Sequence, residues 1–405
     1  MFDPTDSALH EGAPGAIRPA GRLRLGILTR NFPPMLGGMA EHAAGLAGAL
    51  AEQADVTVFA PCWAQAEPGA RYRLEAVLHP DADQNTALLS ERRVDVWLAL
   101  SANLAPLAEH SPKPFFLYAH GNDFLRPNPD PSRTLEARLG RTPGLWRARD
   151  WLAAPLQEWT LQRRRRQLEP GLQASRAIFV NSRFTAELLA RTYPIDGKPV
   201  IVSHPGCAER FFAPVSPAAG RDALELLTVC RADRTNRRKN IAGVLQALAQ
   251  LDGEFPWRYT VIGGGGEQQR LQALAHRLGI ADRVQFRGEC PAPAVVQAYA
   301  QADLFILAAQ ASPVDVEGFG MVYVEANAAG KPVIGSRTGG SVEAIRPGTT
   351  GYLLPDAHPA TIAGALRRFA ARRDHFAADG IRAFAEQFRW PRVAGELLEA
   401  LEGHT

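Results

Sequence analysis

The sequence predicts two doubly wound α/β domains facing a cleft, on three observations. Short apolar runs of the buried, parallel-sheet kind alternate with amphipathic helical stretches along most of the chain. The alternation comes in two series, parted by turn residues at His204-Pro205-Gly206, with Pro214 and Pro217 close behind. The length, 405 residues, allows two domains with separate cores. Ligands of such sheets gather at the carboxyl ends of the strands, so the expected site is the cleft.

The first series opens with the β-rich run Leu23–Thr29. A loop from Arg30 to Gly38 follows, holding Pro33-Pro34 and Gly37-Gly38, and then a small-residue helix, Ala40–Gln53. Strands are expected at Val56–Ala60, Val94–Leu100, Phe115–Tyr118, Ala177–Asn181 and Val200–Ser203. The second series begins with Leu224–Cys230 and a helix over Asn240–Leu251. Tyr259–Ile262, Val284–Arg287, Leu304–Leu307 and Val333–Ser336 follow as strands. The predicted division is a loose tail over 1–21, a first domain over 22–205, a second over 206–388, and a closing segment over 389–405.

One stretch is more informative than the rest. Asp315 to Ala326 places Glu317 and Glu325 eight positions apart, with Gly318-Phe319-Gly320 opening a short helix that runs to about Ala329 and stops at Gly330. The free N–H groups of such a helix start favour a phosphate. Glu325, about a turn and a half in, is placed to accept hydrogen bonds from a diol such as a ribose, and Glu317 to reach a second polyol. The pattern suits a sugar nucleotide. Arg231 follows a strand, and Lys239 ends the basic loop Arg237-Arg238-Lys239 at the next helix. Two cations so placed can hold a diphosphate and stabilise charge as a sugar–phosphate bond breaks.

Other motifs say less. Gly37 and Gly38, without side chains, let the backbone approach a ligand. His120, at a strand end beside Gly121, is placed to face the cleft. Gly263 to Gly266 lacks the Gly-Lys-Ser/Thr ending of a phosphate loop and reads as a turn. No dinucleotide fingerprint follows the first strand, which argues against a dehydrogenase. Asp81-Ala82-Asp83 spells a metal-binding Asp-x-Asp, but in a loop of a differently built chain, so no metal is expected.

A net charge of +3 is too small to argue for a nucleic-acid partner. The four cysteines are scattered without zinc spacing, as in a reduced cytoplasmic protein. The N-terminal residues lack a basic-then-apolar signal pattern, and no apolar run approaches the ~20 residues that span a bilayer. From Arg133 to Arg176, arginines, including Arg163 to Arg166, accompany Trp146, Trp151 and Trp159. This is either a solvated face with core aromatics or a peripheral contact with the inner, anionic face of a membrane.

At these residues the chain resembles the retaining glycosyltransferases of family 4, which have the GT-B fold. Gly37-Gly38 falls on the family's N-terminal glycine loop, His120-Gly121 on its histidine motif, and Arg231 with Lys239 on its phosphate-binding pair. Glu317 and Glu325 match its two-glutamate motif, and Gly339-Gly340 with Glu343 its following turn and acid. The resemblance runs from about Leu23 to the end of the chain. It implies a nucleoside-diphosphate sugar donor, with UDP or GDP as the nucleotide, held mostly by the C-terminal domain. The acceptor, a glycan, lipid or small molecule, would lie mostly against the N-terminal one. It implies ribose on Glu325, sugar hydroxyls on Glu317, backbone N–H groups of Gly318, Phe319 and Gly320 near sugar and phosphate, and His120 near the anomeric carbon. It implies no cofactor and no metal, front-side attack with retention, and a C-terminal helix, about Pro391–Leu401, crossing back onto the first domain. Asn240 departs from the family in standing where glycine is common. A sugar-nucleotide epimerase of the same fold and a catalytically silent sugar-nucleotide sensor are the rival expectations.

Overall fold

The computed structural model describes residues 21–81, 83–125, 149–213, 222–310, 312 and 315–405. Two sheets carry the fold. In the first, β1 (Arg24–Leu28), β2 (Asp55–Phe59), β3 (Arg73–Glu75), β4 (Val96–Ala99), β5 (Phe115–Ala119), β6 (Ile178–Val180) and β7 (Val200–Val202) lie in the order β3-β2-β1-β4-β5-β6-β7. In the second, β8 (Leu224–Val229), β9 (Trp257–Ile262), β10 (Val284–Gly288), β11 (Leu304–Leu307), β12 (Val333–Ser336) and β13 (Gly351–Leu354) lie in the order β10-β9-β8-β11-β12-β13. Every pairing within them is parallel. Each series places its first strand inside the sheet and then reverses direction across it. The switch points fall between β1 and β4 and between β8 and β11, where such sheets bind ligands.

Helices cover both faces, which is why β4, β5 and β11 are apolar at every position and fully buried. Side chains of the first sheet form two clusters, one around Leu46, Leu50 and Phe116, the other around Trp97, Phe115 and Leu168. The second sheet is covered likewise, by Leu245, Leu248 and Leu366 on one side and by Tyr299, Tyr323 and Phe388 on the other. The final helix, Trp390–Gly403, packs on the first helix, Gly38–Leu50, and sends Ala394, Leu397, Leu398 and Leu401 into the core of the first sheet. The end of the chain thus crosses back onto the N-terminal half.

Several boundaries differ from expectation. The first helix begins at Gly38, inside the glycine pair. The helix expected from Asn240 spans Ile241–Ala249, with Asn240 as its cap in the left-handed region at φ 59°. Its Oδ1 accepts from Gly243 N at 3.2 Å, and its Nδ2 donates to Ala357 O at 2.9 Å. Asparagine is the side chain that best tolerates this backbone, so it can stand where glycine is common.

The arginine run requires a correction. It lies in the helix Arg149–Ala174, where Arg163, Arg165 and Arg166 are exposed and Arg164 is only 4 % exposed. Arg164 Nη2 donates to Asn103 Oδ1 and, at 2.6 Å, to Asp123 O, so the four arginines do not form one surface. Arg133 to Arg147 and Trp146 lie outside the described residues, as does Ala82 of the Asp-x-Asp triplet. Among the described residues no helix is long and apolar enough to cross a membrane.

Candidate active site between the two domains

The loop before the Met321–Ala328 helix turns in at Gly320, whose φ of 91° and ψ of 59° suit glycine. No side chain caps this helix, so its first N–H groups stay available. On the loop, the Glu317 carboxylate accepts from Lys239 Nζ and, at 3.0 Å, from Arg238 Nη1, while Arg238 Nε donates to Asp315 Oδ1 at 2.8 Å. Burial opposes ionisation of Glu317, but Lys239 and Arg238 outweigh it and hold the carboxyl at about 2. Glu317 is therefore a fixed anion between two cations. Arg238 is a site residue that the sequence did not single out. Arg231 does not join the group: its side chain is 66 % exposed, and its Nε lies 3.8 Å from Asp233.

The loop is fastened to the opposite domain. Asn122 Oδ1 accepts from Val316 N at 2.9 Å, and Asn122 Nδ2 donates to Val316 O at 3.1 Å and Asp315 Oδ1 at 3.0 Å. Ser182 Oγ donates to Gly318 O at 2.6 Å. Asn181 Nδ2 donates to His120 O at 3.2 Å, behind the same contact. From below, Gly340 N donates to Glu317 O at 2.8 Å. A Cβ on Gly339 would lie 2.1 Å from Glu317 O, and one on Gly340 2.0 Å from Gly318 O, so both positions require glycine. Glu343, just beyond, accepts from Arg183 N at 3.1 Å and Phe184 N at 3.3 Å, the first two N–H groups of the Arg183–Thr192 helix, and lies 3.0 Å from His204 Nε2. These contacts give the turn and acid after the two glutamates a structural role: they join the domains.

Glu325, one turn into its helix, accepts the Tyr299 hydroxyl on Oε2 at 2.8 Å. Burial lifts its carboxyl to about 7; the Tyr299 bond and Arg210 act against the rise and Glu41 adds to it. Arg210 and Glu41 are themselves joined at 2.6 Å. Glu325 and Glu317 sit in opposite electrostatic settings, one apolar and one cationic, although one short segment carries both.

His120 follows β5. Its N–H donates to Asp123 Oδ1 at 2.9 Å, and its Nε2 lies 3.3 Å from Leu100 O. Burial lowers its pKa despite Asp123, so the imidazole is neutral near pH 7. Its ring lies 4.9 Å from Tyr118 and 5.1 Å from His42. Gly38 faces the other end of the loop, where a Cβ would lie 3.6 Å from Met321 Sδ. Gly37 precedes it as the helix cap, with φ 133°. The structure thus brings Gly38, His120, Lys239, Glu317, Gly318 and Gly320 to one seam between the domains; Arg231 stands at its margin. Gly263 to Gly266 makes the turn after β9, packed on the carbonyls of Cys230 and Ala232. Among the described residues no three His, Cys, Asp or Glu side chains come together as metal ligands.

Two parallel-sheet domains with a site at their seam define a class, the two-domain GT-B transferases. Residues 36–209 match the family model described as Glycosyltransferase Family 4, and residues 222–379 match Glycosyl transferases group 1. A GDP-mannose-dependent alpha-(1-6)-phosphatidylinositol monomannoside mannosyltransferase of Mycolicibacterium smegmatis is 28 % identical over 408 residues, covering 93 % of this chain and 98 % of that protein. A D-inositol 3-phosphate glycosyltransferase of Streptomyces bingchenggensis is 32 % identical over 252 residues, 57 % of this chain and 54 % of that protein. Among solved structures, an Anabaena protein in complex with UDP superposes with a TM-score of 0.70 at 17 % identity, over 94 % of this chain and 99 % of that one. Sucrose-phosphate synthase from Thermosynechococcus elongatus superposes with a TM-score of 0.70 at 18 % identity, over 95 % and 100 %. Each half of the chain thus matches a glycosyltransferase model, and the chain is a glycosyltransferase of the GT-B fold.

Proposed function

We propose that the protein moves a hexose, with retention and without a metal, from a nucleoside-diphosphate sugar to a hydroxyl of a glycan, glycolipid or small-molecule acceptor. GDP or UDP is the nucleotide. The observation that carries this reading is the ion cluster of Glu317, Lys239 and Arg238 beside the uncapped start of the Met321–Ala328 helix. A diphosphate arriving at the helix start meets free N–H groups and Lys239, with the exposed Arg231 at the margin of the site. Negative charge grows on the leaving phosphate as the anomeric bond breaks, and these groups stabilise it most at that point. The Glu317 carboxylate, already ionised and anchored, accepts hydrogen bonds from sugar hydroxyls. Glu325 takes the ribose diol. Neutral His120 approaches the sugar from the facing domain, and the leaving phosphate takes the acceptor's proton.

Support for a nucleotide-sugar donor also comes from the Anabaena neighbour, solved with UDP, and from the GDP-mannose dependence of the mycobacterial relative. That relative's acceptor, a phosphatidylinositol monomannoside, favours a glycolipid. Trp159, 51 % exposed with the Arg163 guanidinium 5.5 Å over its ring, gives the N-terminal half an outward aromatic and cationic point for a membrane surface. The test is incubation of the protein with GDP-mannose and UDP-glucose, with and without EDTA. Slow release of nucleoside diphosphate that survives the chelator upholds the reading. Tight binding with no turnover would make the protein a sensor, and release that only magnesium restores would overturn the metal-free mechanism.

A further inference from the structure

Two guanidinium groups, Arg164 buried and Arg30 partly buried, stand apart from the network around Glu317. Arg30 follows β1, and the register pairing Leu28 with Ala99 of β4 brings it level with Ser101 and the start of the Ala102–His110 stretch. Arg164 reaches the same place from its long helix. Its Nη2 donates to Asn103 Oδ1 and to Asp123 O, and its Nη1 to Gln167 Oε1 at 3.2 Å. All these acceptors are neutral oxygens. The Nε of Arg164 is buried without a partner, and so is the Nε of Arg30. Among the described residues the Arg30 side chain has no ion pair and no hydrogen bond. Arg238, partly buried as well, pairs with two carboxylates.

The nearby acids do not close the gap. Asp123 is committed: Oδ1 takes the His120 N–H, and Oδ2 takes the Ala102 N–H at 2.8 Å and the Ser101 hydroxyl at 3.3 Å. Asp81 acts on Arg30 through its charge alone. Burial depresses both guanidinium pKa values; Asp81 acts against it at Arg30, and Tyr193 and Asp123 act against it at Arg164, while the charge of Arg30 lowers Arg164 a little. Two forked donors, each with an Nε–H that has no partner, match a phosphate, which can accept from both at once. The place lies on the N-terminal side of the seam, and Asp123 links it directly to the His120 backbone.

We infer that Arg30 and Arg164 form an anion site on the acceptor side of the cleft, and that the acceptor carries a phosphate ester seated there. This rests on the reading that the N-terminal domain takes the acceptor. It narrows the acceptor class: a neutral glycan would leave the Nε–H groups of both side chains without an anionic partner.

The experiment is a calorimetric titration of inorganic phosphate into the full chain saturated with GDP or UDP, so that the donor's phosphate site is already filled. Phosphate should bind the wild type, and Arg30→Gln should weaken it tenfold or more. Arg30→Lys should recover part of the loss, since it keeps the charge without the fork. Arg164→Lys should weaken phosphate as well, and covers the case in which Arg164→Gln does not fold. Nucleoside diphosphate affinity is measured in parallel on each variant. Phosphate binding that depends on Arg30 in a protein that binds neither nucleotide would sink the donor reading and leave the anion site standing. No phosphate binding to the wild type, or equal binding to Arg30→Gln, overturns the site. Displacement by glycerol 3-phosphate would mark a soluble monoester, and displacement by phosphatidylinositol vesicles alone a lipid headgroup; either result upholds it.

Discussion

Tyr299 holds Glu325, its hydroxyl donating at 2.8 Å to a carboxyl that burial has lifted to about 7. Donor binding should therefore depend on pH. A ribose diol donates to the carboxylate, so nucleotide affinity should rise as pH climbs from about 6 to about 8, and calorimetry across that range checks it. Tyr299→Phe removes a hydrogen bond that favours the ionised form, so the midpoint should move to higher pH. A pH-independent affinity would detach Glu325 from the nucleotide. In Glu325→Ala, loss of a charge-assisted bond of ~1.5–3 kcal/mol should weaken the nucleotide by ~10–100-fold.

The same carboxyl gives a stability prediction of definite sign. Its folded pKa exceeds the ordinary value of 4.5, so between the two the folded state holds a proton that the unfolded state has lost. The resulting stabilisation is complete below about pH 4.5 and disappears as pH rises through about 7. Against Glu325→Gln, which cannot titrate, the wild type should lose relative Tm from pH 5 to pH 8 in the absence of nucleotide. Glu317 runs the other way. With its folded value at about 2, its contribution is present above pH 4.5 and is lost on acidification towards pH 2.

Glu317→Ala strands Lys239 as a largely buried cation and leaves Arg238 with Asp315 alone. Breaking a buried pair costs about 3 kcal/mol or more, a fall in Tm of roughly 6 °C or more by differential scanning calorimetry. Glu317→Gln, which still accepts from one cation, should lose less stability while losing comparable kcat. Equal Tm values for wild type and Glu317→Ala would contradict the buried cluster.

Asn122→Ala removes the two bonds to the Val316 backbone. Each domain should stay folded, with nucleotide affinity changed less than threefold, because Lys239 and the helix start remain. Turnover should fall by ~10–100-fold, since the loop that orients the sugar loses its anchor. A drop in nucleotide affinity as large as the drop in kcat would show that the anchor serves binding instead.

Arg163, Arg165 and Arg166 replaced together by glutamine should release the protein from anionic vesicles at low salt, each cation near the surface contributing ~1 kcal/mol. Arg164 is left in place, because its bonds to Asn103 and Asp123 hold the helix on the domain. If the wild type does not sediment with such vesicles, the exposed arginines are a solvated face.

Most of the fold was legible in the sequence because buried parallel strands are apolar throughout, as β4, β5 and β11 are. β3 and β13 were not: they are edge strands of three and four residues, one flanked by charges and the other opening on glycine. Glu317, Lys239 and the glycine turn could be read because motif spacing survives folding. Arg238 could not be told from Arg237, since a single tight turn sends one to Glu317 and the other to Glu267 at 2.9 Å. Tyr299 and Asn122 act on residues far away in sequence, and only the packed structure shows it. The burial of Arg164 did leave a signal: Leu168 and Leu172 follow at intervals of four, on the same face of the helix.

The fastening of Val316 and Gly318 to Asn122 and Ser182 has a kinetic meaning. In the proposed function the loop that grips the donor is also the clasp between the halves, so the halves would not part without letting go of it. Escape of the spent nucleotide and separation of the halves are then a single event. A mutation that strengthens the clasp slows each round at its exit, however well it arranges the chemistry.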